Sequence, residues 1–163
     1  MGPVLVLGIG NILLQDEGVG VHVVEELRRM DLPPGVDALD GGTSGADLID
    51  VIADREKVIV IDATDGDGEP GTVYRFTVHD LVRRTASIGS LHEFGFLESY
   101  LVTVRLGCPP HEVVFLGIQP ERIQFGLDLS EKVSRQVPNV VRLVLNEIMQ
   151  DRTEPQHGQV AAR

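Results

Sequence analysis

Apolar residues gather here in two ways, as short unbroken runs and as longer stretches that return every three or four positions. "PVLVLGIG" at the start, "KVIVIDA" from residue 57 and "EVVFLGIQ" from residue 112 are unbroken runs rich in β-branched residues. Such runs predict strands buried on both faces, and "KVIVIDA", the strongest of them, should lie centrally. "VDALDGG" predicts a second strand. "TVYRFTV" alternates apolar with polar residues, as a strand near an edge does, and "TDGDGEPG" before it is a turn. That link is too short for a parallel crossover, so this strand should run antiparallel to its predecessor.

Helical periods fill the intervals. Val19, Val23, Leu27 and Met30, widened by Val24, mark one face of a helix from about residue 17. Thr43 or Ser44 is placed to cap a short helix that turns Leu48, Ile49 and Ile52 inward. A helical turn is expected around residues 79–84. "SLHE" has the form of a capping box, Ser90 reaching forward and Glu93 back, opening a helix with Leu97, Tyr100, Leu101 and Val104 inside. Ser130 should cap a last helix with the stripe Val133, Val137, Val141, Val144 and Ile148. Pro138 within it, at a cost of about 3 kcal/mol, predicts a kink or a restart.

The order β-α-β-α-β-β-α-β-α predicts a three-layer α/β/α sandwich: a mostly parallel five-stranded sheet with one antiparallel strand. It forms a single domain over residues 1–150, and residues 151–163, polar and without pattern, are expected to be a disordered tail. In such sheets the working site lies beyond the carboxyl ends of the strands.

A formal charge of −11 excludes nucleic acid and anionic membrane surfaces as partners. The single cysteine, Cys108, allows no internal disulfide, and the apolar start has no basic n-region, so a cytoplasmic protein is expected. At the predicted working edge stand Glu17 after the first strand, Asp40 after the second, Asp62 after the third and His92 at the capped helix start. Two of these carboxylates with the imidazole make a plausible three-ligand set for a borderline divalent cation. Near a helix N-terminus His92 should favour its neutral, metal-binding form. Each residue also has a simpler reading: Asp16 as a helix N-cap, Glu17 as an acid complementing the helix dipole, Asp40 as a brace for "GGTSG". Asp62, a carboxylate ending an apolar strand, needs a partner.

Three other motifs fail. "GIGNIL" has Leu13 where a dinucleotide fingerprint needs its third glycine, and acids at the helix entrance would repel a pyrophosphate. "DGDGEPGTVYRF" has Pro70 and Phe76 where a calcium loop needs its glycine and its bidentate acid. Cys108 and His111 in "CPPH" lack further ligands nearby.

Taken together, "GIGNILLQDEGVG", "DGGTSG", "VIDATD", "SLHEFG" and "GIQPE" resemble the hydrogenase maturation proteases from about residue 3 to 148. The resemblance implies an endopeptidase that trims the C-terminal extension from the precursor of a nickel–iron hydrogenase large subunit. It implies Glu17, Asp62 and His92 as ligands of nickel already seated in that precursor. Asp40 is a candidate for orienting water or for acid–base work. The isolated chain is expected to be a monomer, either metal-free or holding another divalent cation. Two other readings use the same edge: a non-catalytic nickel chaperone or sensor for the same subunit, and a metal-assisted phosphohydrolase. The second is weakened by the lack of Lys or Arg in the glycine loops.

Overall fold

Strands β1 (Val4–Ile9), β2 (Val36–Gly42), β3 (Lys57–Ala63), β4 (Val73–Thr77) and β5 (Glu112–Ile118) form one sheet in the order β2-β1-β3-β5-β4. The computed structural model describes residues 1–43, 48–83 and 91–150. Ser44, the segment 84–90 with Ser90, and the tail from Asp151 lie outside the described residues. Four strands are parallel, and β4 alone is antiparallel. Helices α1 (Val19–Arg28) and α5 (Glu131–Gln150) cover one face; α2 (Ile49–Ile52), α3 (Val78–Arg83) and α4 (Leu91–Leu106) lie toward the other.

The two-residue period of the strands sorts the core into two halves. Val4, Val6, Ile59, Ile61, Leu116 and Ile118 pack against α1 and α5. Leu5, Leu7, Val58, Val60, Val113 and Phe115 face the opposite layer. There Phe96 of α4 meets Phe115 edge-on, with ring centres 5.3 Å apart, and Phe115 stacks on Phe76 of β4 at 4.9 Å. Every residue of β3 is buried, as expected of a central strand.

β4 lies at an edge and runs against β3, as its alternation and short link predict, but the two do not pair. β5 inserts between them, parallel to β3 on one side and antiparallel to β4 on the other. The more apolar run takes the doubly covered position, while β4 can leave Arg75 in water.

Several helix expectations need correction. Met30, expected on the inner face of α1, lies past its end and is 45% exposed. α2 begins only at Ile49, after Leu48 and without a side-chain cap, so Thr43 does not start it. In α4, Leu97 is buried and Tyr100 half-buried, but Leu101 and Val104 face water while Ser99 and Thr103 are buried. Thr103 goes inside because its hydroxyl donates to the Tyr100 carbonyl at 2.7 Å, which satisfies it within the helix. α5 continues without interruption through Pro138, with Val133, Val140, Val144 and Ile148 buried most deeply and Val137 and Val141 packed beside them.

α5 is fastened to the sheet at the edge opposite the strand carboxyl ends. Lys57 and Glu147 are both buried. Lys57 Nζ lies 3.3 Å from Glu147 Oε2 and 3.2 Å from Glu112 Oε2, and Arg75 Nε reaches Glu147 Oε1 at 2.5 Å. Burial pushes the Glu147 carboxyl up, but hydrogen bonds and charge from Arg75 and Lys57 outweigh it and hold its pKa below the ordinary value. A lowered carboxyl pKa stabilises the fold fully above the ordinary value of 4.5, and that share is lost as the pH falls through the depressed value. Glu147→Gln is therefore expected to lose stability at pH 7 and to show a shallower further loss on acidification than the wild type. Urea midpoints measured from pH 7 to pH 3 check this.

Candidate functional site

The strand order turns back between β1 and β3, since β2 lies beyond β1 on one side and β5 beyond β3 on the other. A crevice beyond the carboxyl ends of two such strands is where an open α/β sheet binds its ligands. Glu17 follows β1 and Asp62 sits near the end of β3, so both belong to this switch point.

Between β1 and α1 the chain makes a tight loop and a 3-10 turn, Gln15–Gly18. Asn11 shapes the loop: its side-chain oxygen accepts Leu13 N–H at 3.0 Å and its carbonyl accepts Leu14 N–H at 3.1 Å. Gly10 has φ +137°, and a Cβ there would come within 1.9 Å of the Glu17 carbonyl oxygen. A Cβ on Gly20 would come within 2.1 Å of the Ile61 carbonyl oxygen. The glycines thus let turn and helix press onto the strand ends, which sets the Glu17 backbone beside β1; close packing accounts for them without a bound phosphate.

Asp16 is not a helix cap. It is 0% exposed and reaches across to the loop after β5. Its Oδ2 accepts the N–H groups of Glu121 and Arg122 and the Ser130 hydroxyl, and its Oδ1 accepts Ser130 N–H, all at 2.7–2.9 Å. Ser130 stands just before α5 and its carbonyl accepts Ser134 N–H, but its hydroxyl is turned to Asp16. The adjacent acids thus divide: Asp16 ties two loops together, while Glu17 is only half-buried.

Parity in β3 sends Asp62 to the same side as Val58 and Val60, toward α4. There His92 Nδ1 lies 3.6 Å from Asp62 Oδ1, an ion-pair distance too long for a hydrogen bond. Asp62 is 2% exposed and the His92 side chain 11%. Asp62 Oδ1 also accepts the Ala63 N–H at 2.9 Å. His92 Nδ1 is buried without a hydrogen-bond partner. The neighbouring Asp62 raises the imidazole pKa, burial opposes it, and the charges of Asp62, Glu17 and Glu93 add to the rise. The expectation of a neutral bias is therefore overturned for the chain on its own: nearby carboxylates outweigh the helix terminus.

Glu93, the residue after this histidine, anchors the first turn of α4 through Thr64, a role its sequence did not reveal. It is 2% exposed, and its Oε1 accepts the hydroxyl of buried Thr64 at 2.8 Å. Thr64 N–H in turn donates to the Ile118 carbonyl, so the first turn of α4 is bonded to the ends of β3 and β5. Gln119, also unforeseen, orders the turn after β3: its Oε1 accepts Gly66 N–H and the Tyr74 hydroxyl, and its Nε2 donates to Asp65. A buried amide beyond the end of an apolar strand, in "GIQPE", was the available signal.

Asp40 stands apart from this pair. It is exposed in β2 opposite Gly8, and its Oδ1 accepts Gly42 N–H at 2.8 Å, which is the bracing role. It borders a hollow with Gly10, Asn11, Ile12 and Leu13. Among the described residues no group of three or more His, Cys, Asp or Glu side chains is placed to hold a metal ion. The geometry brings Asp62 and His92 together under the influence of Glu17. An imidazole nitrogen without a hydrogen bond beside the Asp62 carboxylate supplies two donors of the kind a borderline divalent cation takes.

The sequence profile of the hydrogenase maturation proteases matches residues 21–147. The chain is 31% identical over 153 residues to the hydrogenase 2 maturation protease of Escherichia coli, covering 93% of both. It is 39% identical over 146 residues to the hydrogenase expression/formation protein HoxM of Azotobacter vinelandii, covering 87% of this chain and 70% of that protein. Its fold matches the solved structure of the hydrogenase maturating endopeptidase HybD from E. coli with a TM-score of 0.85 at 31% identity, covering 93% of this chain and 94% of that one. Among the described residues no helix is long and apolar enough to cross a membrane. The peptidase class displaces the phosphohydrolase and the non-catalytic chaperone readings, and the chain belongs to the hydrogenase maturation protease family.

Proposed function

We propose that this peptidase removes the C-terminal extension from the precursor of a [NiFe] hydrogenase large subunit once nickel is in place, reading that nickel through Glu17, Asp62 and His92. The observation that carries the reading is the buried His92 Nδ1, without a hydrogen bond and 3.6 Å from Asp62 Oδ1. Without a cation Glu17 and Asp62 carry like charges, and Asp62 is met by the His92 imidazole 3.6 Å away and by the Ala63 N–H. A precursor that brings a cation gives both carboxylates and the imidazole a shared partner, and so binds better than an unloaded precursor. Nickel is here part of the substrate, and its Lewis acidity is available to polarise a nearby carbonyl. Asp40, on the adjoining strand end, is assigned to orient water while it braces Gly42.

The chain should shorten a nickel-loaded precursor and leave the nickel-free precursor at full mass. Mass spectrometry of both after mixing with the enzyme tests this. Equal trimming of the two would remove nickel from the recognition step, and stable binding without any change of mass would favour a chaperone.

A further inference from the structure

Five apolar side chains stand in water beside the candidate site, on two loops that the fold holds together. The loop after β1 carries Ile12 and Leu13, both about half-exposed. The loop after β5 carries Ile123, Phe125 and Leu127, with Phe125 87% and Leu127 63% exposed. Leu14 and Gly126 form a parallel bridge: Gln15 N–H donates to the Gly126 carbonyl and Gly126 N–H to the Leu13 carbonyl, each at 3.0 Å. Leu13 and Phe125, each one residue before that bridge, are therefore neighbours.

The segment that presents these residues is built to stay in place. Buried Asp16 grips it at Glu121, Arg122 and Ser130. Gly126 has φ +155°, and a Cβ there would meet the Gln15 side chain at 2.9 Å. Gln15 itself adopts φ +49°, a left-handed conformation unfavourable for a residue with a Cβ and kept only where surrounding bonds enforce it. A fixed apolar cluster open to water is characteristic of a surface that a partner covers. The residue after Asp16 is Glu17, so the cluster is continuous with the edge at which the peptidase meets its protein substrate.

We infer that Ile12, Leu13, Ile123, Phe125 and Leu127 form the docking surface for the hydrogenase precursor, receiving an apolar patch of that subunit beside the segment to be cut. The inference rests on the processing reading above and specifies how the substrate is held. Affinity for the nickel-loaded large-subunit precursor is the test, measured for the full chain by titration. Phe125→Asp and Leu13→Asp should each weaken binding by roughly tenfold or more, as loss of a central apolar anchor does. Phe125→Leu should restore most of the affinity. Met149→Asp, exposed near the opposite end of the sheet beside Glu147, should leave it unchanged. A photoreactive benzoylphenylalanine in place of Phe125 should cross-link to the precursor, and it keeps the surface aromatic should the aspartate variant fail to fold. Unchanged affinity in the folded aspartate variants, or cross-links only to a second copy of the enzyme, would overturn the inference. A wild type that binds the precursor through this surface but never shortens it would defeat the processing reading and leave the docking surface standing.

Discussion

His92→Ala and Glu17→Gln will each leave the nickel-loaded precursor at full length while the enzyme remains folded. His92 supplies a nitrogen that makes no hydrogen bond, so its removal costs the site a donor and the fold one ion pair, the 3.6 Å contact with Asp62. Glu17 is half-buried and is held by its backbone, through the tight contact with Gly10, so a neutral amide at its tip leaves the turn intact. Losing one donor of a three-donor set removes several kcal/mol of transition-state stabilisation, or a rate loss on the order of a thousandfold. A time course by mass spectrometry reads the rate, and urea midpoints close to that of the wild type separate lost chemistry from lost structure. Full trimming by both variants would reject these residues as the site.

What the sequence discloses here follows from how local the cause is. Unbroken apolar runs needed no partner to be read, and β1, β3 and β5 lie where those runs are. The edge that gathers the strand carboxyl ends was legible too, because the βαβ order alone sends them to one side. Pairing was not: whether β4 meets β3 or β5 depends on which strand competes better for a doubly covered position. The face of α4 was misread because the helix is apolar nearly all round, and small hydroxyl residues that bond within the helix can take the inner positions. The protonation bias of His92 was misjudged for a related reason. A helix start is visible in sequence, but the three carboxylates around the imidazole come from the turn after β1, from β3 and from α4. Glu93 and Gln119 escaped because their partners, Thr64 and the turn at Asp65 to Gly68, are tens of residues away.

The neighbour of Glu17 is expected to give the opposite phenotype. Asp16→Asn replaces one acceptor oxygen by an NH₂ group inside a ring of donors: three backbone N–H groups and one hydroxyl. If the amide nitrogen takes the Oδ2 position it confronts Glu121 and Arg122; if it takes the Oδ1 position it confronts Ser130 N–H. Neither orientation satisfies the ring, and Asp16→Ala satisfies none of it. A buried hydrogen bond to a charged group contributes about 1.5–3 kcal/mol, and a donor left without an acceptor adds its own desolvation cost. A loss of about 3 kcal/mol follows for Asp16→Asn, and more for Asp16→Ala. In a chain of this size that lowers the thermal midpoint by roughly 6–12 °C. Calorimetry or circular dichroism melting checks it, and a midpoint within a degree or two of the wild type would contradict the bonding described here. The loop from Glu121 to Ser130 should loosen first, so its amide protons should exchange faster than those of β3 in the same variant. Consecutive acids would then be told apart by experiment: one whose loss stops cutting in a stable protein, and one whose loss weakens the protein and frees the apolar loop beside the site.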